Sequence, residues 1–219
     1  MSDHCCAHSC TPKAAQDPRY RRALAAALVV NALMFGIEIV GGLQSSSTSL
    51  LADAVDFFGD AANYGVALLV LSMAAVWRSR AALLKGLCMG AFGIFVLIKT
   101  AWSIAAGTVP EAVTMGAVGL LALAANLGVA ALLYAYRSGD ANMRSVWLCT
   151  RNDAIGNVAV MLAAAGVFGS GTGWPDWVVA ALMGILALSA SVSIIRQARA
   201  ELGMGASAAP AHSHDGHCH

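Results

Sequence analysis

The sequence predicts an all-α integral membrane protein: six transmembrane helices with both termini in the cytoplasm. Three observations carry that prediction. Of the 219 residues, 58% are hydrophobic and 11% charged, with a mean hydropathy of +0.69, whereas a soluble domain carries about 25% charged residues. The apolar residues fall into six runs, each long enough for the roughly 20-residue helix that spans a bilayer. Lysines and arginines gather at alternate ends of those runs. The runs are continuously apolar and do not alternate, which excludes a membrane β-barrel.

The first run, 22–43, follows a polar segment and has no small-residue cleavage site before it, so it reads as a retained helix and not a signal peptide. The loop "QSSST" separates it from the second, 49–77. A basic stretch leads into the third, 82–106, which holds "GLCMG", the small-xxx-small spacing that lets helices approach. The fourth, 111–136, follows "GTVP"; the fifth is 143–169; and "GSGTGW" precedes the sixth, 175–198. The chain thus divides into a Cys/His-containing tail (1–21), a six-helix domain (22–200) and a His-rich tail (201–219).

Orientation follows from the cations. Lys13, Arg19, Arg21 and Arg22 precede the first run; Arg78, Arg80 and Lys85 lie between the second and third. Arg137 and Arg144 lie between the fourth and fifth, and Arg196 and Arg199 close the sixth, while the other three loops carry no Lys or Arg. The positive-inside rule puts both termini in the cytoplasm, as expected for a multi-pass protein of the bacterial inner membrane. A net charge of +1 suggests no nucleic-acid partner. Cytoplasmic thiols stay reduced, so the tail cysteines read as metal ligands and not as a disulfide framework.

Acids inside the spans set the functional question. Glu38, Asp56, Asp60 and Asp153 lie within apolar runs, with Asp53 nearer a helix end, and Lys99 and Arg151 are intramembrane cations. Such residues are costly in a bilayer and usually face a cavity or a pathway; polar contacts between helices would account for one of them, hardly for all. At 1.5 Å per residue, Asp56 and Asp60 lie ~10 and ~16 Å from one face and Asp153 ~15 Å from the other, so the three converge near the midplane. Asp56 and Asp60 are one turn apart on one face, as are Cys149, Asp153 and Asn157. Carboxylates with a thiol suit a divalent transition metal. All six histidines lie in the tails.

"NALMFGIEIVGG" and "SSSTSLLADAVDFFGD", followed by "VPEAVTMGAVGLLALAANLG", "NMRSVWLCTRNDAIGNVAV" and "WPDWVVAALMGIL", resemble the cation diffusion facilitators. The likeness covers nearly all of 22–200. These are six-helix exporters that exchange a cytoplasmic divalent metal for protons, and the resemblance implies that activity, with no enzymatic reaction. It places the first ligand pair on Asp56 and Asp60 and the acid of the second pair on Asp153. Cys149 stands where the family has histidine; it coordinates the metal itself, or Asn152 or water takes its place. The family's cytoplasmic domain after the sixth helix is expected to be missing, since the residues after Arg199 are too few for a domain.

The expected substrate is Zn²⁺ or Cd²⁺, with Co²⁺, Fe²⁺, Mn²⁺ or Ni²⁺ as alternatives, exchanged for protons by alternating access. The expected partners are the lipid bilayer and a second copy of the chain, through the transmembrane helices. Glu38 and Lys99 either pair at the outer ends of their helices or snorkel to the interface. Asp53 reads as a carboxylate near the positive end of its helix, and Arg151 as a partner for a carboxylate when metal is absent. In the tails, His4, Cys5, Cys6, His8 and Cys10, and His212, His214, His217, Cys218 and His219, form short Cys/His tracts suited to loose metal capture. The competing readings are a proton-coupled exporter of small organic molecules and a membrane metal sensor that moves nothing.

Overall fold

A computed structural model describes residues 18–69, 75–135 and 141–207 of the chain. Its six elements are all helices: α1 Pro18–Ser45, α2 Thr48–Leu69, α3 Ala75–Ala106, α4 Ala112–Tyr134, α5 Ala141–Ser170 and α6 Trp174–Ser207. Five of them contain stretches long and apolar enough to cross a membrane, and α2 is not among these. The reason is compositional, because its 22 residues include Asp53, Asp56 and Asp60.

α2 compensates by position. It packs against each of the other five helices, and every residue from Thr48 to Val55 is buried. Its neighbours turn their apolar side chains outward instead. Phe168 is 78% exposed and Trp102 72%, as expected of a surface solvated by lipid and not by water. Around α2 the core is continuous: Leu50, Leu51 and Val55 meet Met115 of α4, Val160 of α5 and Met183 of α6. A second cluster toward the far end of α2 joins Tyr64 to Leu24 of α1 and Leu133 of α4. Phe35, Phe58 and Phe92, from α1, α2 and α3, form a ring cluster with centroids 5.6–6.0 Å apart.

Two expected boundaries change. Ala75–Trp77, expected at the end of the run 49–77, belong to α3, and 70–74 lie outside the described residues. Hydropathy could not assign Ala75–Trp77 to α3 because "VLSMAAVW" is apolar throughout. At the other end α6 continues past residue 200 to Ser207, where Glu201 accepts from Ser79 Oγ at 2.6 Å and from Gln197 Nε2 at 3.2 Å. The Cys/His tracts of both tails lie outside the described residues.

Caps explain the sharp turns. Gly107 (φ 63°) and Gly171 (φ 65°) adopt the left-handed conformation that ends a helix cheaply in glycine. α4 starts at Glu111, whose carboxylate accepts from the N–H groups of Val113 (3.0 Å) and Thr114 (2.7 Å). α1 and α2 are joined by a two-residue turn in which Ser46 has φ 57°. The Glu111 N–H donates to Ser45 O at 2.8 Å, tying that turn to α4.

α3 and α6 pack along much of their length, and glycine lets them approach closely. A Cβ on Gly90 would lie 2.6 Å from Ser191 Oγ, and one on Gly184 2.9 Å from Leu97 Cδ2. Ser191 Oγ uses the closeness to donate to Gly86 O at 2.7 Å, the backbone approach anticipated from the glycine spacing. Gly90→Val should therefore separate α3 from α6 and destabilise the protein by about 1–3 kcal/mol, read as a lower melting temperature in detergent.

The cap at Glu111 makes a pH-dependent contribution. Hydrogen bonds from Thr114, first from its side chain and then from its backbone N–H, hold the Glu111 carboxyl below its ordinary pKa of 4.5. A lowered folded-state pKa means a contribution complete above the unfolded value and lost as pH falls through the folded one. The melting-temperature difference between wild type and Glu111→Gln should be present at neutral pH and shrink on acidification below pH 4.5.

Candidate functional site

The carboxyl groups on α2 point into the bundle at successive levels. Asp53 and Asp60 are buried and Asp56 is partly buried. Asp60 meets Asp153 of α5, close enough for a proton to bridge the two carboxyls. The structure therefore joins the acids that sequence spacing places at one depth from opposite faces, and Asp56 sits one turn from the pair. Asp60 Oδ2 also accepts from the Tyr64 hydroxyl at 3.0 Å, again one turn along α2. Beyond it the Lys85 ammonium donates to Asn63 Oδ1, and its charge acts on Asp60. Neither Tyr64 nor Lys85 was anticipated as a site residue. The i+4 spacing from Asp60 could have flagged Tyr64, whereas Lys85 reaches the site only through the packing of α3.

A second carboxyl pair lies toward the start of α2. Glu38 of α1 is fully buried, and no donor among the described residues reaches either of its oxygens. Its neighbour is Asp53, whose carboxyl faces it within hydrogen-bonding reach of a shared proton. The ion pair with Lys99 is not formed; Lys99 is half-buried on α3, and the charges acting on Glu38 are Asp53 and Asp56. A Cβ on Gly156 would lie 4.0 Å from Asp53 Oδ1, so the bare α5 backbone comes up against this pair. Asn157, one turn past Asp153, is buried with neither amide atom hydrogen bonded among the described residues.

Asp53 also does not serve the positive end of its helix. That place is taken by Asp176 of α6, which is wholly buried. Its Oδ1 accepts from Ser47 Oγ (2.7 Å) and the Ser49 N–H (3.0 Å), and its Oδ2 from the Thr48 N–H and Oγ1 (2.8 Å each). Ser47 Oγ in turn accepts from the Leu50 N–H at 3.2 Å, so the first three N–H groups of α2 are all satisfied. Sequence spacing gave no sign of this contact, because Asp176 and the turn are 129 residues apart at their widest.

The remaining ligand candidates fall elsewhere. α5 carries Cys149, Arg151 and Asn152, whose side chains lie outside the described residues. Among the described residues no three His, Cys, Asp or Glu side chains are grouped as a metal site. What the described chain supplies is the Asp60 and Asp153 pair with Asp56 beside it, and below them a cavity of about 180 Å³ lined by Asn63, Lys85, Gln197 and Glu201.

Residues 24–202 match the cation efflux transmembrane domain. The chain belongs to that family. Its members are transporters, not enzymes. The chain is 25% identical over 179 residues to the metal cation efflux system protein CzcD of Cupriavidus metallidurans, covering 76% of this chain and 57% of that protein. It is 24% identical over 178 residues to the cadmium, cobalt and zinc/H(+)-K(+) antiporter of Bacillus subtilis, covering 73% and 56%. The chain thus spans a little over half the length of these relatives. Apolar helices and bacterial relatives identify this cation efflux protein as a multi-pass protein of the bacterial inner membrane.

Burying like-charged groups together is costly whatever they bind. Glu38→Gln and Asp153→Asn should each raise the stability of the chelator-treated protein by about 1–3 kcal/mol, measured by thermal unfolding in detergent. A loss of stability would show that these carboxyls hold the fold together and not a site.

Proposed function

We propose that the protein exports a divalent transition-metal ion from the cytoplasm in exchange for protons, all six helices crossing the membrane and both termini lying in the cytoplasm. The observation that carries this reading is the meeting of Asp60 and Asp153, from two helices, inside an otherwise apolar bundle. Two desolvated carboxyl groups side by side need either protons or a cation between them. Coordination requires deprotonated ligands, so an arriving dication expels protons, and protons arriving from the other face expel the metal. One site opened alternately to the two faces then couples the two flows.

Asp56, Asp60 and Asp153 supply hard oxygen ligands. Cys149, one turn before Asp153 on α5, supplies a soft one where its side chain faces them, with Asn152 as the alternative. That mixture favours Zn²⁺ or Cd²⁺ over Mg²⁺ or Ca²⁺, in keeping with the cadmium, cobalt and zinc named for the Bacillus relative. Tyr64 holds Asp60 in orientation, as hydrogen-bonded neighbours of ligands do. Lys85 and the cavity beside it form the cytoplasmic approach, on the side where Lys and Arg are concentrated. The Cys/His tracts of the tails collect metal on that side.

The test is metal tolerance in a sensitive host, followed by uptake into everted vesicles. Wild type should confer tolerance to zinc or cadmium and take up metal when the vesicle lumen is acidic. Asp56→Asn, Asp60→Asn and Asp153→Asn should each reduce uptake at least tenfold, by order of magnitude about the loss seen when a metal site is perturbed. Cys149→His should retain activity where Cys149→Ala does not. Uptake indifferent to an imposed pH gradient would remove the antiport.

A further inference from the structure

The helices divide into two bodies. α3 and α6 lie together, brought close by Gly86, Gly90, Gly93 and Gly184. α1 packs on α2, α4 on α5, and α1 on α4. Side-chain hydrogen bonds join the two bodies at both ends of α2. At its start Asp176 of α6 holds residues 47–49, and near its far end Lys85 of α3 holds Asn63. Asp53, Asp56 and Asp60 lie between these two connections.

The connections differ in kind. The Asp176 carboxylate is wholly buried and receives four hydrogen bonds. Directly beneath it Leu50, Leu51 and Val55 form a plug with Met115, Val160 and Met183. The Lys85 contact is exposed and borders the 180 Å³ cavity. Around α2, therefore, the chain is close-packed at the helix start and has room for water and an ion near its far end.

We propose that Asp176 and the 47–49 turn are a latch that closes the non-cytoplasmic face, and that the latch opens each time the site turns to that face. The proposal rests on the exporter reading for the orientation and the need to open. A route from Asp56 to the non-cytoplasmic face must part the plug, and the plug is made of α2, α4, α5 and α6 together. α6 cannot leave α2 while its carboxylate holds the first N–H groups of that helix. A fixed pivot at this point would keep the plug shut. A buried carboxylate stripped of part of its donors is costly, so partial separation is disfavoured and the contact has two stable conditions, closed or hydrated.

The experiment uses the full chain in proteoliposomes. Ser47→Cys/Asp176→Cys places one thiol on each side of the contact, in place of the side chains whose Oγ and Oδ1 are 2.7 Å apart. Transport should proceed with the pair reduced, stop when diamide closes the disulfide, and return on reduction, while wild type treated identically is unaffected. Transport by the cross-linked form at the reduced rate would overturn the latch and make the contact a pivot. A second arm needs neither metal nor transport. Ala52 on α2 is 2% exposed, and Ala52→Cys reports opening through its labelling by a membrane-impermeant thiol reagent from the non-cytoplasmic side. Adding Thr48→Val, which removes one hydrogen bond to Asp176 and keeps the side-chain shape, should raise the labelling rate about fivefold, the population shift that one net hydrogen bond supplies. An unchanged rate overturns the proposal. Failure of every form, wild type included, to move metal counts against the exporter reading, and the labelling then decides the latch alone.

Discussion

Carboxyl groups on three successive turns of one helix cannot face lipid, and the rest of the bundle is arranged around that constraint. α2 is the helix least able to cross a membrane by itself, and it packs against all five others. Its neighbours present apolar side chains to lipid and leave the interior to Asp53, Asp56, Asp60, Glu38, Asp153 and Asn157. A charge in a bilayer centre costs at least about 2.5 kcal/mol on insertion scales. Burial among carboxyls of other helices, with a proton or cation available between them, lowers that cost.

Close approach is what lets a small bundle enclose such a site. Glycines bring α3 onto α6, and Gly156 brings the α5 backbone up to Asp53. The start of α2 is completed by residues from other helices, with Asp176 capping it and the Glu111 N–H anchoring the preceding turn. A helix that borrows its cap from a distant partner responds to movement of that partner. The same contact that stabilises the fold thereby connects α6 to the carboxylate-bearing helix.

Much of the site was legible because it obeys local periodicity. The i+4 spacing of Asp56 and Asp60 put them on one face, and counting depth from opposite faces brought Asp153 to their level. Periodicity fails where a relation is between helices. Glu38 could be matched with Lys99 by level alone, yet it faces Asp53, because rotation of α1 about its axis is set by packing. Asp53 had the position of a dipole partner, but α6 delivers Asp176 to the helix end first. The start of α3 at Ala75 was hidden because the residues on either side of it are apolar, and hydropathy measures transfer from water and not helix boundaries.

The sequence by itself determined the class of protein, most of the helical segments, the alternation of basic ends, and the carboxyl groups set inside apolar runs. Those properties depend on composition and on spacing within a helix, and both are local. The tertiary structure alone decided which carboxyls meet, which helix is central and which residue caps the start of α2. The physical reason is that lipid-facing and buried apolar residues look alike in sequence. The rotation and neighbours of each helix then follow from glycine contacts and buried hydrogen bonds between residues as far apart as Ser47 and Asp176.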